Sequence, residues 1–271
     1  MTEPYAPGGP LPLGRWAGRG VWRALSAQTR IELILASRRY ENLLVTLGVP
    51  LVLLVALVVV PIVPGRAGLP TIDRLVPGIL AAALMATGLV ALGIATAYER
   101  SFGVLKRLLG SPLPQWALVA AKTIAVLVTV LVQVVLIAIV GAVLGWAPPG
   151  GAIASLAAVS PWIVLGTVAF AGIGLLLAGT LRFEAVLAAA NGLFVVSLLL
   201  GGVVVPLDQL PSVLATPVSV LPPALLTETL RGAMEPGRRV DPIHAALLAV
   251  WAIGLATAAV LSLRSAHQRS S

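Results

Sequence analysis

Long apolar windows that contain no charged side chain dominate the pattern of the chain. The longest runs from residue 123 to residue 181, between Lys122 and Arg182, without one Asp, Glu, Lys or Arg. One bilayer crossing needs only about 20 apolar residues, so this window predicts two membrane-spanning helices. The segment 145–151, Gly-Trp-Ala-Pro-Pro-Gly-Gly, divides them, because prolines and glycines interrupt a helix and favour a turn.

Windows of the same kind along the whole chain predict six membrane-spanning helices. The predicted spans are 43–63, 75–98, 116–144, 156–181, 185–205 and 243–263. They divide the chain into a tail with an interfacial helix (1–42), a six-helix transmembrane domain (43–264) and a C-terminal tail (265–271). The sequence therefore predicts an all-α polytopic membrane protein.

The basic residues predict an orientation, because Lys and Arg are retained on the cytoplasmic side of a membrane. With the N-terminus inside, the cytoplasmic segments hold Arg15, Arg19, Arg23, Arg30, Arg38, Arg39, Arg100, Lys106, Arg107, Lys122, Arg182, Arg264 and Arg269. The outer segments hold Arg66, Arg74, Arg231, Arg238 and Arg239. Six spans return the chain to the side where it started, so we expect both termini in the cytoplasm.

The segment before the first span has helical amphipathicity. One side of such a helix carries Arg19, Arg23, Ser26 and Arg30, and the other carries Val21, Ala24, Leu25, Ile31 and Leu35. This pattern predicts a helix that lies in the headgroup layer, with its arginines toward lipid phosphates or a partner.

Composition narrows the class of function. Hydrophobic residues make up 59% of the chain, charged residues 10%, and the mean hydropathy is +1.03, which leaves no room for a separate folded soluble domain. Cys is absent, so the chain offers no disulfide or thiolate site. No Gly-x-x-x-x-Gly-Lys phosphate loop is present, and no metal or Ser-His constellation suggests catalysis. We therefore expect a chain that is not itself an enzyme and binds no cofactor or nucleic acid.

The segment between the second and third predicted spans has the most informative polar pattern. Over residues 99–109, Phe102, Leu105 and Leu109 share one helical face, and Glu99, Gly103, Lys106 and Arg107 lie roughly opposite. Gly110 and Pro112 predict the end of this short helix. Trp116 then suits the membrane interface, and Lys122 is expected to snorkel toward it. Such a loop could transmit force from a cytoplasmic partner, or it could be an ordinary surface loop.

This loop resembles that of the ABC-2 type permeases, the membrane subunits of a large class of ATP-binding-cassette exporters. The matching elements are Glu99-Arg100, the run 103–109 (Gly-Val-Leu-Lys-Arg-Leu-Leu), Ser111-Pro112, Trp116 and Lys122. The layout is similar as well: an amphipathic N-terminal helix, six spans, and a proline-broken segment before the last span.

The resemblance implies that the loop is a coupling helix seated in a cleft of a separate ATPase subunit. The implied coupling residues are Glu99, Arg100, Gly103, Leu105, Lys106, Arg107, Leu108 and Leu109. ATP and Mg²⁺ would bind to that partner, in two copies per complex, and the chain would pair with a second copy or a sister permease. The implied function is export of an amphipathic substrate, such as a drug, lipid or glycolipid, across a bacterial cytoplasmic membrane. Drug-resistance permeases are the nearest type.

The segment after the fifth predicted span is apolar but broken by prolines into pieces too short to cross a membrane. Such pieces predict re-entrant or interfacial helices, and the resemblance implies that they cap the exit path. The candidate outer-gate residues are Pro206, Leu210, Pro211, Pro222, Glu228 and Arg231. Glu228 and Arg231 are three residues apart and can form an ion pair, which is either ordinary helix decoration or a gate latch.

Three polar residues, Thr129, Gln133 and Asn191, fall within predicted spans. They either bond across helices or contact a substrate along its path. An ion-coupled secondary transporter, an intramembrane enzyme and a non-transporting scaffold are the alternative functions. The first two lack support, since no ionisable residue lies near the middle of a predicted span and His244 lies at a span mouth. Association with an ATPase would argue against all three.

Overall fold

The computed structural model describes residues 19–38, 40–60, 71–109, 114–148, 150–203, 207 and 211–268, and within them the regular elements are all helices. In chain order these are α1 (Arg19–Arg38), α2 (Tyr40–Val59), α3 (Thr71–Met85), a π-helix (Ala86–Ala91), α4 (Leu92–Ser101), α5 (Val104–Leu109), α6 (Gln115–Val143), α7 (Ala152–Thr180), α8 (Phe183–Leu200), α9 (Ser212–Ser219), α10 (Pro222–Met234) and α11 (Pro242–Gln268).

Five helices of the described chain are long and apolar enough to cross a membrane. They are Thr71–Ser101, in which α3, the π-helix and α4 run on continuously, Gln115–Val143, Ala152–Thr180, Phe183–Leu200 and Pro242–Leu263. Five of the six predicted spans are confirmed by these helices. The protein is therefore a multi-pass membrane protein.

The predicted first span differs from the others. It corresponds to α2, whose apolar part, Val45–Val59, is shorter than a crossing normally needs, and the predicted end at residue 63 lies outside the described residues. A sixth span by length would instead come from α9 and α10, which are bent by 80° at the break between them. That bend fits a broken span or the predicted re-entrant segment. Pro222 begins α10 after the break, where its missing N–H group costs no helix hydrogen bond.

The helix α7 lies at the centre of the bundle and packs against α11, α10 and the helix formed by α3, the π-helix and α4. Small residues permit these close approaches, as is usual between membrane helices. A Cβ atom on Gly174 would lie 2.5 Å from the carbonyl oxygen of Gly88 in the π-helix, and one on Gly172 would lie 2.8 Å from the carbonyl carbon of Leu255 in α11. Backbone therefore meets backbone on two sides of α7.

Burial separates the centre of the bundle from its periphery. In the helix Thr71–Ser101, 83% of the apolar window is buried inside the protein, against 17% in α8. The second predicted span is therefore the most deeply buried of the five helices, whereas most of α8 is open to lipid or to another protein. A Cβ atom on Gly192 of α8 would meet no atom within 4 Å.

We expect Gly174→Ala to destabilise the protein by about 1–3 kcal/mol, because the added methyl group collides with fixed backbone of the π-helix. Thermal unfolding of the purified chain in nonionic detergent measures this as a lower midpoint. Gly192→Ala adds the same methyl group in open space and is the matched control, with an unchanged or slightly higher midpoint. Equal midpoints for the two variants would contradict the packing described for α7.

Candidate functional site

A buried ion triad joins three helices at the end of the bundle where α1 and α5 lie. The Nζ atom of Lys122 lies 2.7 Å from Oε2 of Glu99 and 2.9 Å from Oε1 of Glu32. The Lys122 side chain is 1% exposed, and those of Glu99 and Glu32 are 9% and 10% exposed. The triad thus connects the start of α6 with the last turn of α4 and the middle of α1.

The position of α1 explains how Glu32 reaches the triad. Leu25 of α1 packs against Ala117 and Ala121 of α6, and Gln28 is buried one turn further on. The Nε2 atom of Gln28 donates a hydrogen bond to Oε1 of Glu32 at 2.9 Å. The face of α1 toward the protein is therefore the one that carries Leu25, Gln28 and Glu32.

The amphipathic pattern of α1 needs a correction in the light of this packing. Ile31 and Leu35 do not share the inner face with Leu25, because their side chains are 50% and 41% exposed. Trp22 and Ile34 are exposed too. One face of α1 is thus apolar toward the outside of the protein, and a separate polar face, with Gln28 and Glu32, is turned inward. The expectation that Lys122 snorkels toward the interface stays a prediction: its ammonium group is held by Glu99 and by Glu32 of α1, the helix predicted to lie in the headgroup layer.

The chain after Glu99 does not continue as one helix to Leu109. The α4 helix ends at Ser101, Gly103 takes φ +72°, and α5 begins at Val104. A left-handed φ is easy only for glycine, so Gly103 allows the change of direction. The predicted apolar face is split by this turn: Phe102 is 66% exposed, whereas Leu105 is 1% exposed.

Arg100 anchors the same corner to α7. Its Nη1 atom donates hydrogen bonds to the carbonyl oxygens of Ala178, at 3.0 Å, and Leu181, at 3.1 Å. The last carbonyl groups of a helix have no partner within that helix, so Arg100 supplies the donor that the end of α7 lacks. Both members of the predicted pair Glu99-Arg100 thus bond to other helices of the same protein, Glu99 from a buried position and Arg100 from an exposed one.

The remaining predicted coupling residues have different surroundings. Leu105 is buried in the main core, and Leu108 packs against that core from a partly buried position. The side chains of Lys106, Arg107 and Leu109 lie outside what the structure describes. The exposed apolar side chains at this corner are Phe102 and Val104, at 66% and 43% exposure.

A second ion cluster lies at the opposite end of the bundle and joins α10 to the loop that follows it. Arg231, 3% exposed, lies 3.3 Å from Glu228 and 3.5 Å from Glu235. Arg238 lies 2.8 Å from Glu228 and 3.1 Å from Glu235. Two arginines and two glutamates thus form a closed ring.

The two glutamates favour the charged form of Arg238, the member of the ring that lies in the loop. Burial lowers the pKa of the Arg238 guanidinium, but Glu228 and Glu235 raise it by more, so that the net direction is upward. The predicted pair of Glu228 and Arg231 is therefore part of a larger network. Glu235 and Arg238 could have been found from their helical spacing to Arg231 and to each other.

The other predicted outer-gate residues are less informative. Pro222 is buried in the first turn of α10, and Pro211 precedes α9 from an exposed position. Pro206 and Leu210 lie outside the described residues.

The polar residues predicted within the spans do not come together at one site. Gln133, 1% exposed, accepts a hydrogen bond from Oγ1 of Thr87 at 3.1 Å and donates one to the carbonyl oxygen of Thr46 at 2.9 Å. It therefore ties α6 to the π-helix and to α2. Thr129 and Asn191 bond within their own helices, to Ala125 and Leu187.

Two adjoining cavities lie beside these residues. The larger, of about 620 Å³, lies between α2, the helix of α3 and α4, and α8, and Asn191 and Phe194 are part of its mostly apolar wall. The smaller, of about 110 Å³, is lined by Glu32, Glu99 and Lys122 of the triad and by Thr129. Thr46, Ala91 and Ala95 line both cavities.

Sequence reasoning missed Glu32, which completes the triad. It is the one acidic residue in the arginine-rich sequence of α1, and that contrast was the available signal. An acidic side chain on a membrane-associated helix needs a counter-charge, and Lys122 is the lysine nearest to a predicted interface.

Comparison with known proteins places most of the chain in one family. Residues 23–234 match the family model described as ABC-2 type transporter. No curated protein matches the chain.

We expect Lys122→Met to lower stability by about 3–5 kcal/mol, because Glu32 and Glu99 would then be buried together without a counter-charge. The midpoint of thermal unfolding in detergent measures this. Adding Glu32→Gln to Lys122→Met should restore part of the loss, since one carboxylate is then removed. Arg30→Met, on the exposed side of α1, is the control for losing a cation. A Lys122→Met protein as stable as Arg30→Met would show that the triad does not hold the helices together.

Proposed function

The chain belongs to the ABC-2 type transporter family, and we propose that it is the permease subunit of an exporter that is powered by a separate ATPase subunit. The family match and the membrane-spanning helices support a membrane subunit of an ABC transporter. The sequence has no phosphate-binding loop, so ATP and Mg²⁺ bind to the partner ATPase, in two copies per complex.

The surface for that ATPase is the corner formed by Phe102, Gly103 and α5. Phe102 and Val104 are apolar and exposed there, as a partner contact requires. In this proposal the corner lies in the cytoplasm, in agreement with the distribution of basic residues along the sequence.

Glu99 and Arg100 act in this proposal as internal anchors that transmit force from α5. Glu99 holds the end of α4 to α6 and, through Lys122, to α1. Arg100 holds the same end to α7. A push on α5 therefore reaches three helices of the bundle through short polar contacts. The observation that carries the proposal is that an exposed apolar corner, at Phe102 and Val104, is joined to three helices by the polar contacts of Glu99 and Arg100.

The cavity of about 620 Å³ is the proposed substrate path. One wall of this cavity is α8, a helix in which only 17% of the apolar window is buried. In this proposal a second permease copy or a sister permease packs against α8 and closes the cavity. Its apolar wall with a few polar groups suits an amphipathic drug, lipid or glycolipid.

The outer end of the path is closed by α9 and α10, and the ring of Glu228, Arg231, Glu235 and Arg238 is the gate latch. The ring links α10 to the loop before α11, so the cap opens when these ion pairs rearrange. In this proposal the membrane is the cytoplasmic membrane of a bacterium, and the substrate moves outward.

We expect Phe102→Ser to reduce co-purification of the ATPase from the native host by roughly tenfold, because the loss of one buried aromatic contact at an interface costs about 1–2 kcal/mol or more. The ATPase recovered with tagged full-length chain, identified by mass spectrometry, is the measurement. Ile153→Ser, at the exposed start of α7 on the opposite end, is the matched control and should retain the ATPase.

Insertion of both variants is checked by their yield in the membrane fraction. Recovery of no ATPase with the unaltered chain would contradict the permease assignment. Equal recovery with the Phe102 and Ile153 variants would contradict the placement of the coupling surface.

A further inference from the structure

We propose that the smaller cavity is a binding site for an ammonium group, and that the substrates are amphipathic cations with a protonated amine at one end. This inference rests on the proposed function, since it takes the larger cavity as the substrate path. It adds the charge of the substrate and the residues that select it.

The two cavities adjoin and differ in polarity. The larger, of about 620 Å³, has a mostly apolar wall from α2, α4 and α8. The smaller, of about 110 Å³, ends at Glu32, Glu99 and Lys122. Thr46, Ala91 and Ala95 line both, so the cavities are neighbours. In this proposal the apolar body of the substrate occupies the larger cavity and its charged end enters the smaller.

The described charges of the smaller cavity favour a cation. Two carboxylates, those of Glu32 and Glu99, face one ammonium group, that of Lys122. Lys122 contacts one oxygen of each carboxylate. Its one positive charge balances only one of the two carboxylates, so the triad keeps an excess of one negative charge. Because the side chains of Glu32 and Glu99 are only 10% and 9% exposed, such an excess attracts a cation and repels an anion more strongly than it would on fully exposed side chains.

The hydrogen-bonding groups lead to the same conclusion. Thr129 directs its one hydroxyl hydrogen to the carbonyl oxygen of Ala125. The single hydroxyl hydrogen of Thr87 has two acceptors within reach, the carbonyl oxygen of Ala83 and Oε1 of Gln133. Both hydroxyl oxygens therefore present only acceptor capacity to the cavity. Acceptors of this kind, together with carboxylate oxygens, suit the N–H groups of an ammonium ion and offer little to a carboxylate or sulfonate.

Glu32 joins α1 to the triad, and it does so with more negative charge than Lys122 alone balances. The pair of Glu99 and Lys122, 2.7 Å apart, is neutral and already joins α4 to α6. Glu32 adds a buried negative charge, at a cost in desolvation, and it does so where the triad borders a cavity. Binding of a cationic group offsets that cost.

The test measures binding to the full-length chain in phosphatidylcholine nanodiscs by calorimetry, with empty nanodiscs subtracted. The probes are n-dodecylammonium, n-dodecanol and n-dodecanesulfonate, which share one alkyl chain and differ in the charge of the head. We expect the ammonium probe to bind roughly tenfold or more tightly than the alcohol, and the sulfonate to bind more weakly than either. Equal affinities for the three probes would overturn the proposal.

Two variants assign the preference to these residues. Glu32→Gln keeps the pair of Glu99 and Lys122 and removes the excess charge, so its affinity for the ammonium probe should fall to about that for the alcohol. Thr129→Val removes one acceptor and should weaken only the ammonium probe. Glu184→Gln, at the exposed start of α8, makes the same charge change outside the cavity and should bind like the unaltered chain.

An unchanged preference in a folded Glu32→Gln protein would exclude the smaller cavity as its origin. The binding assay contains no ATPase, so its outcome is separate from that of ATPase recovery. Failure of the charge preference with normal ATPase recovery removes the ammonium site and leaves the permease assignment. A charge preference without an ATPase partner removes that assignment and leaves the site.

Discussion

A lysine buried at the edge of a membrane bundle constrains the arrangement of every helix around it. An ammonium group away from water must be paired, because the loss of its hydration is far more costly than any single packing contact. Lys122 meets this requirement with Glu99 and Glu32, and each comes from a different helix. The contact of α1 with α6, the end point of α4 and the small cavity beside them all depend on that pairing.

The membrane-spanning helices were predictable from the sequence because hydropathy measures how favourably a segment transfers from water to lipid, which does not depend on its neighbours in the fold. An apolar helix of sufficient length without charges is stable in lipid whatever its neighbours are. The prediction was weakest for α2, whose apolar part ends at Val59 in the described chain. It was also too simple at Gly103, where a single backbone angle separates α4 from α5.

The inward face of α1 and the outer ion ring could not be derived in the same way. Amphipathicity along α1 correctly indicated a helix, but it could not show that the side with Gln28 and Glu32 is turned inward. That choice depends on Lys122, which is distant in sequence and belongs to another helix. The coupling roles that the family resemblance implies for Glu99 and Arg100 remain a prediction, and the contacts of both residues lie within the protein, where the end of α4 meets α6 and α7.

The contact of Arg100 with the end of α7 has a mechanical consequence. If α4 and α7 drew apart at this corner, the carbonyl groups of Ala178 and Leu181 would lose the guanidinium donor that they share. The glycine contacts further along the same two helices carry no such polar penalty on separation. Polar contacts therefore hold α4 to α7 at this corner and close packing alone holds them further along, so parting the two helices breaks the fewest hydrogen bonds toward the far side of the membrane.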